Sequence, residues 1–125
     1  MYVISASKKK QANGPNVGTH TSIAVKAEFD DNYADGEAFR IHYQLTDKNG
    51  QKYPFIETFY NTLKNERTAQ FFEYLDGLGI ECDDDGLPNV VGLRETVVLK
   101  KRVGYSRPVI VEREAITADE VVAGA

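Results

Sequence analysis

The sequence predicts a mainly β domain of five strands with one helix between the third and the fourth. Three observations carry this. Apolar residues recur at every second position in several runs, Asp-Gly and Asn-Gly turn signals separate two of those runs, and the period changes to about 3.6 around residues 66–79. The 125 residues match one domain, and 42% hydrophobic residues suffice for one modest core. Seven tyrosines and six phenylalanines set the chain apart from disordered sequences, which lack the aromatics needed to offset chain entropy by burial.

Residues 1–18 contain SASKKKQANGPNVG, which has neither hydrophobic period and reads as a flexible basic arm around Lys8–Lys10. From Thr21, TSIAVKAEF alternates, and its apolar set Ile23, Val25, Ala27 and Phe29 is the expected core face, with Ser22, Ala24, Lys26 and Glu28 outside. The segment DDNYADGE follows, with Asp35-Gly36 as the hairpin signal. In EAFRIHYQLT, Phe39, Ile41, Tyr43 and Leu45 alternate with Arg40, His42, Gln44 and Thr46, so the first set faces the core and the second faces water. Asp47-Lys48-Asn49-Gly50 makes the next turn. The third strand, QKYPFIETFYN, contains Pro54, which cannot donate to a ladder and places the start of the strand at an edge or bulge.

Asn65 or Thr62 can cap a helix through ERTAQFFEYLDGLG, with Phe71, Phe72, Leu75 and Leu78 on its buried side and Gly77 and Gly79 at its end. The acidic loop ECDDDGLPN then leads to two strands rich in β-branched residues, VVGLRETVVLKKRV and RPVIVEREAI, joined around Gly104-Tyr105-Ser106. Gly92 marks a bulge or tight bend. Three meander strands, a helix and a closing hairpin form the element order of a five-stranded OB-fold barrel over residues 19–117, followed by a flexible tail at 118–125.

Several functions are excluded by what the sequence lacks. It has no G-x-x-x-x-G-K phosphate loop, no G-x-S-x-G nucleophile turn and no H-E-x-x-H helix, and His20 and His42 are its only histidines, so no catalysis and no cofactor are expected. Cys82 is the single cysteine, which rules out an intrachain disulfide, and its neighbours Asp83–Asp85 disfavour a thiolate. The Asp-Asp-Asp-Gly run departs from the alternating carboxylates of a calcium loop after Gly86, so no metal is expected there. No apolar run of 18 residues and no secretory leader are present, and the expected location is the cytoplasm, away from membranes.

The net charge of −4 argues against nucleic-acid binding by bulk attraction, yet the charges are clustered. Single strands are held by cations that track phosphates and by aromatic faces on which bases stack. The candidate residues are Lys26, Arg40, His42 and Gln44 on the wet faces of the first two strands, and Lys100, Arg102, Tyr105 and Arg107 at the last hairpin. Tyr53 and Tyr60 join them as stacking platforms, with Tyr33 a further one; each tyrosine could instead be a core residue with a wet hydroxyl. In an OB-fold the second and third strands and the loops after strands one and four share one binding surface, so these groups are expected to meet.

The stretches KAEFDDNYADGEAFRIHYQLTDKNGQKYPFIETFYN, YLDGLGI and VVGLRETVVLKKRVG before PVIVERE resemble the small OB-fold single-stranded DNA-binding proteins of phage and prophage replication or recombination modules. That resemblance implies a non-catalytic protein that covers single-stranded DNA. A homodimer or higher oligomer and replication or recombination proteins are its further expected partners. Two departures stand out: bacterial-type single-strand binders end in a disordered acidic tail with a hydrophobic tip that recruits partners, whereas TADEVVAGA has only Asp119 and Glu120, and there is no tryptophan. The rival expectation is an acidic protein-interaction or dimerisation module, a nucleic-acid mimic that does not bind DNA.

Overall fold

The computed structural model describes residues 15–32, 37–61 and 65–116. The elements fall where the periodicities put them: β1 (Gly18–Phe29), β2 (Ala38–Thr46), β3 (Lys52–Tyr60), α1 (Glu66–Gly77), β4 (Arg94–Lys100) and β5 (Val109–Ala115). The strands form one five-stranded sheet in the order β3-β2-β1-β4-β5. β4 pairs antiparallel with both β1 and β5. Because β3 and β5 are the two edges, the structure shows an open sheet where the sequence predicts a closed barrel.

Local chemistry explains the boundaries. At the β2–β3 turn Gly50 takes φ 82°, and Asp47 Oδ1 accepts from the amides of Asn49 and Gln51, so one side chain closes the turn. Asn65 caps α1 by accepting from the Thr68 amide at 3.0 Å. β4 starts at Arg94 rather than at Val90, because Gly92 adopts φ 95° in a turn whose amide donates to Ala24 O. The turn signal at Asp35-Gly36, residue Tyr33, the cap candidate Thr62, the Lys8–Lys10 arm and the tail lie outside the described residues.

β2 buries Phe39, Ile41, Tyr43 and Leu45, the face its alternation predicts. β1 does not follow its prediction. His20, Ser22 and Ala24 are buried, Val25 and Lys26 are exposed in succession, and Ala27 and Phe29 are part-buried. The even-numbered positions are thus the buried set in the first half of β1, the expected core positions Ile23 and Val25 are part-buried and exposed, and no alternation holds over Ala27–Phe29. Leu78, expected on the buried side of the helix, is its C-cap and is partly exposed.

The strands run through two compact units. The first takes the described parts of Met1–Ile23, Gln44–Phe55 and Arg94–Ala125; the second takes those of Ala24–Tyr43 and Ile56–Leu93. In the first, Leu45, Val97 and Leu99 are buried with His20, Ser22 and Glu95, and Glu95 pairs with Arg113 at 3.8 Å. In the second, aromatic rings form the core: Phe59 stacks on Phe71 at 4.3 Å and on Phe39 at 5.3 Å, and Phe72 tilts against Phe39. Glu57 is buried there but well paired. It accepts from Tyr43 Oη and from Arg67 Nη2, both at 2.7 Å, and the Arg67 guanidinium also covers the Phe59 ring at 4.5 Å. One arginine of α1 therefore ties the helix to β3 by charge, hydrogen bond and ring contact together.

Candidate nucleic-acid interface

In the first unit, β4 and β5 build a hairpin whose connection is wholly exposed from Lys100 to Arg107. Between Val98 and Leu99 the register shifts, a bulge that twists the arm of the hairpin. At the turn Gly104 takes φ 90°, a conformation open to glycine without strain, and the Tyr105 amide donates to Arg102 O at 3.2 Å. Lys100, Lys101, Arg102 and Arg107 thus surround a tip where Val103 is 103% exposed and Tyr105 63%. Four of the predicted residues, Lys100, Arg102, Tyr105 and Arg107, are brought together here.

The pairing of Gly18 with Leu99 sets the start of β1 beside the base of this hairpin. There a half-open cleft of about 590 Å³ is lined by Gly18–Thr21 of β1 and by Thr46–Asn49 of the β2–β3 turn. His20 is buried, and its Nδ1 lies 3.1 Å from Gly18 O, so Nδ1–H donates to that carbonyl. Gln44 on β2 is exposed and Tyr53 on β3 is part-buried. Lys48 and Lys52, which the sequence reading did not single out, add to the cations of this unit. Topology could have revealed them, since in an antiparallel sheet the turn after β2 and the turn after β4 both lie where β1 begins.

In the second unit, the other predicted cations gather on a carboxylate that the sequence reading passed over. Glu28 Oε2 accepts from His42 Nε2 at 2.6 Å and from Arg40 Nη2 at 3.2 Å, while Oε1 pairs with Lys26 Nζ at 3.3 Å. The hydrogen bond with His42 holds the Glu28 carboxyl below its ordinary range, and Lys26 and Arg40 add to the effect. The sequence signal was the facing pair of alternating strands, Lys26 and Glu28 against Arg40 and His42. Tyr60 ends β3 in this unit and is 38% exposed.

The charges divide by unit. Among the described residues, the first unit carries Lys48, Lys52, Arg94, Lys100, Lys101, Arg102, Arg107 and Arg113 against four carboxylates, Asp47, Glu95, Glu112 and Glu114. The second carries only Lys26, Arg40 and Arg67 as Lys or Arg, against a large acidic excess that includes Asp30, Asp31, Glu81 and Asp83–Asp85. In the acidic loop Asp83 Oδ1 accepts from the amides of Asp85 and Leu87, so that carboxylate shapes its own turn. Among the described residues no group of three His, Cys, Asp or Glu side chains is placed to hold a metal ion. The Cys82 thiol is pushed up, first by partial desolvation and then by the charge of Asp83.

No helix among the described residues is long and apolar enough to cross a membrane. No family model matches the chain, and no curated protein or solved structure matches it either.

Proposed function

We propose that this chain is a non-catalytic single-stranded DNA-binding protein with an OB-fold, working in the cytoplasm in phage-like replication or recombination. The single observation that carries the reading is the exposed β4–β5 connection, where four cations surround Tyr105 and Val103. It supplies both ingredients of sequence-tolerant strand binding, phosphate neutralisation and an aromatic face. The fold assignment is supported by strand order: β3-β2-β1-β4-β5 with a helix after β3 is the order of the OB barrel opened at its β3–β5 seam, and that barrel is partly open by nature. The cation-rich first unit is the better candidate for phosphate contact, because Lys26, Arg40 and His42 already share Glu28.

The acidic second unit favours one other reading, a protein-interaction module that mimics nucleic acid. A gel shift with labelled oligo-dT at low salt separates the two. Binding at micromolar protein or below, lost on raising the salt, is the expected result; no shift under those conditions refutes the DNA reading and leaves the interaction module.

A further inference from the structure

We infer that the β4–β5 hairpin and the cleft beside it recognise a junction between duplex and single-stranded DNA, the hairpin tip acting as a wedge against the last base pair. The inference rests on the DNA-binding reading and adds a substrate class to it. Its basis is the shape and composition of the first unit. A surface hydrophobic on its own needs no explanation, but Val103 stands wholly clear of the protein in the exposed β4–β5 connection, with Tyr105 two residues on. Apolar side chains on such projections insert between base steps and unstack them, while flanking cations hold the phosphates on either side. Lys100, Lys101, Arg102 and Arg107 occupy those flanks.

A wedge needs somewhere for the released strand to go. Gly18, which lines the cleft, pairs with Leu99 just before the connection begins, and the cleft volume falls in the range of about 300–1,000 Å³ typical of small-ligand sites, which suits a nucleotide. Its lining is suited to one. Thr19, Thr21 and Thr46 present hydroxyl groups, Asn49 an amide and Lys48 a cation, and its one carboxylate, Asp47, is turned to the amides of Asn49 and Gln51. An anionic lipid surface would also attract a cationic hairpin with an apolar tip. One valine and one tyrosine, however, offer much less apolar area than a single fourteen-carbon acyl chain, which by itself gives only marginal membrane binding.

The test compares a forked DNA, with 2-aminopurine at the last base pair, against oligo-dT of the same single-strand length, using the full chain. The fork is expected to bind at least fivefold more tightly, with 2-aminopurine fluorescence rising as the base unstacks. Val103→Ser, a change at a fully exposed position, should abolish the fork preference and the fluorescence rise. Tyr105→Ser should reduce both signals. Equal affinity for fork and oligo-dT, or a fork preference that survives Val103→Ser, overturns the wedge and leaves strand binding intact. Binding of neither DNA overturns the parent reading as well. Binding of vesicles containing phosphatidylserine, lost in Val103→Ser, in the absence of fork preference assigns the tip to membranes instead.

Discussion

Reversing two charges at the hairpin, Lys100→Glu with Arg102→Glu, tests the proposed interface by its salt dependence. Both side chains are exposed and neither supports the core, so the variant should fold as the parent does. Each phosphate contact on a single strand contributes about −0.7 to the slope of log K against log salt. If the four cations of the connection together with Lys48 and Lys52 engage phosphates, the parent slope is about −4, and losing two contacts brings it to about −3. Between 50 and 200 mM salt the parent then loses roughly 300-fold in affinity and the variant roughly 50-fold. Fluorescence anisotropy on oligo-dT across that range measures both slopes. Lys26→Gln serves as the comparison, since that lysine already pairs with Glu28 and its loss should change the slope by less than one contact. Parent and double variant with the same slope, or a larger effect from Lys26→Gln, would refute assignment of the interface to the first unit.

Three further predictions concern the scaffold and its charges. Arg67→Ala removes a charged hydrogen bond to buried Glu57 and the cover over Phe59, and should cost roughly 2–3 kcal/mol in urea unfolding, with a loss under 0.5 counting against that tie. Asn65→Ala should cost about 1 kcal/mol by leaving the Thr68 amide without its cap, read as a lower urea midpoint at unchanged m. Because the folded state lowers the Glu28 pKa, the carboxylate adds stability above its unfolded value and loses it as pH falls through the lowered one; Glu28→Gln should therefore flatten the acid side of a melting-temperature profile, and an unchanged profile would deny the cluster that role.

Much of the architecture was legible because the relevant signals are local. The β2 alternation, the Asp47–Gly50 turn and the Asn65 cap each depend on residues within one element, and each appears where the pattern put it. Features that depend on a neighbouring strand were not. In β1 both faces carry small or apolar groups, Ser22 and Ala24 on one and Ile23 and Val25 on the other, so nothing in the sequence marks which set is buried. Nothing in the sequence marks Glu57 or Glu95 as buried, yet both are, with Arg67 and Arg113 reaching them from other elements. For the site, the hairpin residues were visible as a cluster in sequence, whereas the meeting of Lys26, Arg40 and His42 on Glu28 required the register between two strands.

That meeting has a consequence for how the chain treats polyanions. A resident carboxylate occupies the donors that a passing phosphate would seek, so a newcomer must displace an anion already in place and not merely shed water. Lys26, Arg40 and His42 are in effect muted, and the acidic surroundings deepen the silence. Under the proposed DNA-binding reading, Glu28 is a stopper on this one cationic cluster of the described residues.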